Sequence, residues 1–145
     1  MDVGTKTIGL AVTAPGWQIV TPLVTVRRGK TWAQDLDALG KALAEYEIHG
    51  IVIGLPLNMD GSEGPRAQST RQMATNLAAA APPWLRDPCL IGFWDERLST
   101  AAVTRFMIDE RDASRATRAN VIDALAAQHI LQGAVDYLNN HLNRK

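Results

Sequence analysis

Three acidic side chains have the type and setting that hydrolysis of a phosphodiester requires. Asp2 precedes a glycine turn, Glu96 follows an apolar run, and Asp123 lies among apolar and small residues. Mg²⁺ or Mn²⁺ prefers such oxygen ligands, and two ions held by them can activate a water and stabilise the leaving oxygen. We therefore predict a hydrolase of the two-metal-ion type, with these three acids as metal ligands and catalytic groups.

Each acid also has an ordinary structural interpretation. Asp2 is a common hairpin-turn residue, Asp123 could face solvent, and Asp95 or Glu96 could simply lie near the positive end of a helix that Ser99 caps. A buried carboxylate without a partner would lose its charge, whereas a bound cation keeps it ionised. Asp95, beside Glu96, is the alternative to Glu96 as the metal ligand, and the residue types alone do not decide between the two.

The elements that position these acids begin with an antiparallel meander. One strand ends at Asp2, the turn 4–7 leads into a strand over 8–13, and a third strand runs over 23–27. Thr31 and Gln34 form a capping box for a helix that we expect to continue to Gly50. A continuous apolar strand over 51–54 follows, of the kind that is covered on both faces.

The second half of the chain alternates helices and strands. A loop over 58–64 precedes a helix from Pro65 to about residue 80. The remaining predicted elements are a strand over 90–94, a helix over 101–108, a polar segment over 109–118 and a final helix over 119–138. The order predicts an α/β fold with a five-stranded mixed sheet, an antiparallel meander plus parallel strands, and helices on both faces.

Composition limits the function classes. The 145 residues, 46% of them hydrophobic, fit a single domain over 1–145, and the 15 basic and 15 acidic residues cancel. Nucleic-acid contacts must therefore be local, since no overall positive field exists. The single cysteine, Cys89, cannot form an intrachain disulfide, and no apolar run is long enough to cross a bilayer, so we expect a cytoplasmic protein with no membrane partner.

Four segments together resemble the YqgF/RuvX family, and they occur in the family's order. They are 2–6, 54–64, 95–100 and 123–127. The resemblance implies an RNase H-like fold and a nuclease that matures the 5′ end of pre-16S ribosomal RNA, in a family described as Holliday-junction-resolvase-like. It also implies that Asp2, Glu96 and Asp123 occupy the family's acidic positions.

By the same resemblance, three side chains fall in the motif blocks as substrate or structural contacts: Lys6, Asn58 and Arg97. Arg115 and Arg118, in the segment before Asp123, are further predicted substrate contacts. Two features differ from the family pattern. Met1 stands directly before Asp2 where members carry several apolar residues, which predicts a longer native chain. The segment before Asp123 is less basic than usual, which predicts modest affinity for phosphate.

Three other functions remain as alternatives. A Holliday junction resolvase would cleave branched DNA, and its two-fold substrate would require a homodimer with paired active sites. A non-catalytic module that binds nucleic acid or the ribosome would use the acids only as surface charges. The sugar-kinase and actin ATPases also use an Asp-x-Gly-Thr corner, but they need a second lobe that 145 residues do not supply.

Overall fold

The computed structural model describes residues 1–98 and 115–143, with the side chains of the last helix described from Asp123 onward. The chain is a mixture of α-helices and β-strands. In order, these are β1 (Asp2–Val3), β2 (Thr7–Thr13), β3 (Val20–Arg27), α1 (Trp32–Ala42), β4 (Ile48–Leu55), α2 (Pro65–Ala80), β5 (Leu85–Asp95), a 3₁₀ turn (Glu96–Leu98) and α3 (Arg115–Leu142). The helix predicted over 101–108, with its cap at Ser99, lies outside the described residues.

The strands form two hydrogen-bonded sheets where a single five-stranded sheet was predicted. β1, β2 and β3 form an antiparallel sheet, while β4 and β5 form a parallel pair. Two backbone bonds cross between them, from the Met1 amino group to the Val52 carbonyl (2.6 Å) and from the Gly54 N–H to the Met1 carbonyl (3.0 Å). Because β1 is only two residues long, it cannot form a longer ladder with β4.

The strands end at two opposite edges. β1, β3, β4 and β5 all finish on the same side of the molecule, which we name the carboxyl edge; it includes the turn 4–6, the segment 28–31 and the loop 58–64. The amino edge is the opposite side, where α1 ends and where β4 and β5 begin. Every predicted active-site acid lies toward the carboxyl edge or on α3.

Helix α1 is shorter than predicted. It begins with the predicted capping box, in which Thr31 Oγ1 accepts from the Gln34 N–H and Gln34 Oε1 accepts from the Thr31 N–H. It ends at Ala42, however, rather than continuing to Gly50. The chain then turns so that Ile48 can pair with Leu85 of β5, and this strand pairing prevails over the helical spacing of the apolar residues.

Several other elements are longer than predicted. β3 begins at Val20 rather than at residue 23, and β4 spans Ile48–Leu55 rather than 51–54. β5 begins at Leu85 rather than at residue 90, because Pro88 falls in a register shift between the Ile48–Leu85 and Gly50–Leu90 pairs, where its missing N–H disturbs no ladder. α3 includes 115–118, which was predicted as part of a polar segment. Three of these four residues, Arg115, Ala116 and Arg118, are good helix formers.

The sheet has two faces that the strand alternation separates. One face packs its branched side chains against α1 and α2 to form the main core; buried members include Ile8, Leu10, Ile51, Ile53, Leu39, Met73 and Leu77. The other face carries Gly9 and Gly54 and is covered by α3. Within the described residues, no helix is long and apolar enough to span a membrane.

Candidate active site

Asp2 lies between two glycines on the face that α3 covers. Its cross-strand partner in β2 is Gly9, so the two residues face the same side of the sheet. On the other side, the Met1 backbone bonds to Val52 and Gly54 place Asp2 alongside Gly54. We name Gly9, Asp2 and Gly54 the glycine-flanked row. Only the central member has a side chain, which leaves space on both sides of the Asp2 carboxylate.

Asp123 fills the space beside Gly9. A Cβ atom at Gly9 would lie only 2.0 Å from the Asp123 carbonyl oxygen and 3.1 Å from the Asp123 Cβ. Thr7, which faces the same side as Gly9, donates from its Oγ1 to Asp123 Oδ2 at 2.5 Å. The close approach of α3 to β2 therefore depends on the absence of a side chain at position 9.

Glu96 fills the space beside Gly54. A Cβ atom at Gly54 would lie 2.7 Å from Glu96 Oε1 and 2.5 Å from Ile130 Cδ1 of α3. Trp94, the β5 partner of Gly54, packs against Gly133 of α3 in the same layer. The acids of the 3₁₀ turn and of α3 are thus placed on opposite sides of Asp2.

The electrostatics also group Asp2 with Glu96. Asp2 is 5% exposed, and the Met1 amino group next to it is fully buried. Burial lowers the pKa of that amino group to about 6, while the negative charges of Asp2 and Glu96 act in the opposite direction. Both carboxylates therefore act on one buried position.

Metal binding by Asp2, Glu96 and Asp123 stays a prediction. Within the part of the chain that the structure describes, no three His, Cys, Asp or Glu side chains make a group that could hold a metal ion. Mg²⁺, however, commonly takes only one or two carboxylates and completes its shell with waters and substrate phosphates. The oxygen donors around the glycine-flanked row fit such a cation and do not form a protein cage around it.

Asp95 and Glu96 are adjacent in sequence but make different contacts. The Asp95 carboxylate accepts from Arg97 Nε (3.1 Å to each oxygen) and Nη2 (2.7 Å), and from the Arg97 backbone N–H (2.9 Å). The hydrogen bond from the Arg97 side chain is the main reason that the pKa of Asp95 lies below its usual value. Asp95 is thus committed to Arg97, and Glu96 is the acid that faces the row.

Arg97 holds the loop 58–64 to the end of β5, and Asn58 supports the loop from within. Arg97 donates from Nη1 to the Met59 carbonyl (3.1 Å), and Gly61, with a φ of +87°, lies close to the guanidinium. Asn58 donates from Nδ2 to Ser62 Oγ at 3.0 Å. Both predicted substrate contacts are exposed, and both also have structural bonds within the loop.

The loop 58–64 has a second internal support. Asp60 accepts from the Ser62 N–H (2.9 Å) and from Ser62 Oγ (2.5 Å). The bond from the Ser62 hydroxyl is the largest of several effects that lower the pKa of Asp60. The loop therefore keeps a defined shape at the carboxyl edge.

The turn after Asp2 is supported from the start of α1. Arg28 donates to the Gly4 carbonyl (3.0 Å) and, from Nε, to Asp35 Oδ2 (3.0 Å). Asp35 is 3% exposed and also accepts from the Gly29 N–H at 2.8 Å. Lys6, in the same turn, exposes its side chain while its carbonyl accepts from the Arg28 N–H. The side chains of Arg115 and Arg118 lie outside the described residues.

Sequence reasoning missed three residues that arrange the acids: Thr7, Gly9 and Gly54. The available signal was an isolated glycine between apolar strand residues, which marks a close approach of another backbone. Thr7 had no comparable signal, since its bond to Asp123 joins positions 116 residues apart.

Comparison with known proteins identifies the class. A family model named RuvX and described as Holliday junction resolvase matches residues 1–137. The chain belongs to this family, which confirms the resemblance inferred from its four motifs.

Individual relatives give a more specific comparison. A Cereibacter sphaeroides protein is 54% identical over 139 residues, covering 96% of this chain and 82% of its own. A Rhodobacter capsulatus protein is 54% identical over 144 residues, covering 99% and 85%, and one from Zymomonas mobilis is 50% identical over 136 residues, covering 94% and 78%. Each bears the name "Putative pre-16S rRNA nuclease".

Proposed function

We propose that this protein is a metal-dependent endonuclease that processes the 5′ end of pre-16S ribosomal RNA, with an RNase H-like fold in which the two sheet pieces act as one five-stranded sheet. The observation that carries the proposal is the glycine-flanked row, which places Glu96 and Asp123 on either side of Asp2. The names of the relatives support the RNA substrate.

In this mechanism Asp2, Glu96 and Asp123 would hold Mg²⁺ or Mn²⁺. When bound, such cations would supply the positive charge that activates water and stabilises the leaving oxygen. Thr7 orients the Asp123 carboxylate through its 2.5 Å hydrogen bond. Burial of Asp2 keeps bulk water from its carboxylate, so the interactions with a cation are strengthened.

Substrate contacts extend along the carboxyl edge. Lys6 is exposed in the turn after Asp2, where its ammonium group can contact a phosphate. Asn58 and Arg97 shape the loop 58–64 on the other side of the row, and their exposed atoms face the same edge. Arg115 and Arg118, at the start of α3, complete the proposed set.

The decisive experiment is cleavage of a pre-16S RNA fragment by the full chain, with and without Mg²⁺. We expect Asp2→Asn to lower the cleavage rate by about 100-fold or more, since it removes the negative charge of a carboxylate that would hold the cation. Asp37→Asn is the matched control, because Asp37 is exposed on α1 and its ion pair is with Lys41, away from the row. Cleavage that survives a chelator or Asp2→Asn contradicts the proposal.

Branched DNA is the second candidate substrate, because the family model is described as Holliday junction resolvase. A four-way junction tested beside the RNA fragment, with chelator and Asp123→Asn controls, separates the two substrates. If only the junction responds to both controls, the protein is a resolvase, and a homodimer is then expected. Binding of either substrate without turnover would favour a non-catalytic module. A cytoplasmic location stays a prediction.

A further inference from the structure

A groove of about 460 Å³ opens at the carboxyl edge, on the face of the sheet opposite α3. It lies between the start of α1 and the middle of α2 and reaches the turn after Asp2 through Thr5. Its size is within the range of sites that bind small organic molecules or single nucleotides. None of the three acids lines it.

The walls of the groove combine three kinds of chemistry. Trp32 contributes part of an indole ring whose remainder packs on the core. Across from it on α2, Gln72 donates from Nε2 to Asn76 Oδ1 at 3.0 Å. This bond orients both side-chain amides. It leaves Gln72 Oε1 as an acceptor and Asn76 Nδ2 as a donor for a ligand.

Lys30 supplies a positive charge at the rim. Its side chain is exposed, and among residues 1–98 and 123–143 no carboxylate lies within salt-bridge distance of it. Arg28 also lines the groove but is committed to Asp35 and to the Gly4 carbonyl. Lys30 is therefore the cation that a phosphate in the groove would meet.

We propose that this groove binds one nucleotide of a single-stranded segment of the RNA substrate. An aromatic ring stacks a base, paired amides can donate to and accept from a base edge, and a lysine contacts the phosphate. A base within a duplex is stacked on its neighbours and cannot enter such a groove. The single-stranded segment is thus the part of the substrate that fits.

The groove and the glycine-flanked row form parts of one path. Thr5 is three residues after Asp2, so an RNA strand that enters the groove passes the turn that carries Lys6. The inference rests on the proposed function, since it assigns the groove to the same substrate. It concerns binding rather than cleavage, and the two can be tested separately.

The test measures binding by fluorescence anisotropy in a chelating buffer, where cleavage does not contribute. The probes are a labelled 12-nucleotide single-stranded RNA and the duplex of the same sequence. We expect Lys30→Ala/Gln72→Ala to raise the Kd for the single strand by about tenfold, because the variant removes one phosphate contact and one base-edge contact while it keeps Trp32. The Kd for the duplex should remain within about twofold.

The matched control is Lys41→Ala/Gln68→Ala, which removes a lysine from the other end of α1 and an exposed glutamine one turn away on α2. It should leave both Kd values unchanged, and both variants should keep the Tm of the parent because all four side chains are exposed. Equal single-strand affinity in the two variants, or equal loss for single strand and duplex, overturns the groove assignment. Failure of Mg²⁺-dependent cleavage with the groove result intact would overturn the proposed function alone.

Discussion

The two edges of the sheet use their basic residues differently. At the amino edge, Lys41 pairs with Asp37 at 3.0 Å. Arg86 of the same edge pairs with Glu47 at 2.9 Å. These exposed pairs neutralise each other and leave little net field.

The carboxyl edge holds basic residues that have no such partner. Among the described residues, no carboxylate lies within salt-bridge distance of these four: Lys6, Arg27, Lys30 and Arg66. Of the acids at this edge, Asp2 and Asp35 are buried, and Glu63 and Asp95 are each paired with an arginine, while Asp60 is exposed and accepts from Ser62. A chain with a net charge of zero can therefore present a positive rim where a phosphate would approach.

The largest expected effect separates acids of the two edges. Glu96→Gln should lower the rate of RNA cleavage by about 100-fold or more, because it removes a carboxylate beside Asp2. Glu47→Gln, which breaks the pair with Arg86, should leave the rate within about twofold. Steady-state rates at saturating Mg²⁺ measure both, and equal losses would remove the functional distinction between the edges.

The second effect concerns the close packing beside Asp2. Gly9→Ala places a Cβ about 2.0 Å from the Asp123 carbonyl, so α3 must move. We expect a loss of about 3 kcal/mol in the free energy of unfolding. Gly92→Ala is the control within β5, where nothing lies within 4 Å of an added Cβ. Urea denaturation compares the two, and a stable Gly9→Ala protein would show that α3 can dock farther out.

A smaller effect distinguishes lysines of the two edges. Lys6→Ala should weaken RNA binding a few-fold and reduce the slope of log K against log salt by about 0.7 for a single strand, the contribution of one phosphate contact. Lys41→Ala should leave the slope unchanged, since its ammonium pairs with Asp37. A salt titration of both variants gives the two slopes. Identical slopes would mean that the RNA does not use the positive rim.

The smallest effect is a response to pH at the loop 58–64. Arg97 lowers the pKa of Asp95 below its ordinary value of 3.8, so their interaction is present above that value and is lost as the pH falls through the lower folded value. Amide exchange at Gly61 should therefore accelerate only below about pH 4. Asp95→Asn should abolish this transition, whereas its persistence in that variant would assign it to Asp60.

The starts of two helices could be predicted from local patterns. The Thr31–Gln34 capping box and the start of α2 at Pro65 are confirmed, because both depend on neighbouring residues only. The end of α1 was predicted wrongly, since it depends on the pairing of Ile48 with a strand that lies 37 residues later.

The candidate active site was harder to predict than the helices and strands. The acids could be selected by type, but Asp95 and Glu96 are adjacent, and only the three-dimensional position of Gly54 separates their tasks. The bond between Thr7 and Asp123 joins two elements that no local pattern connects. The five-stranded sheet was predicted from the order of the elements, which does not determine how many backbone bonds join β1 to β4.

Asp35 has a consequence beyond its own neighbourhood. It holds Arg28, and Arg28 in turn holds the carbonyl of Gly4, two residues after Asp2. The wall of the groove and the turn after Asp2 are thus joined by one chain of hydrogen bonds, which runs from Asp35 through Arg28 to the Gly4 carbonyl. If RNA binds the groove as proposed, any shift of Arg28 would also move the backbone that follows Asp2.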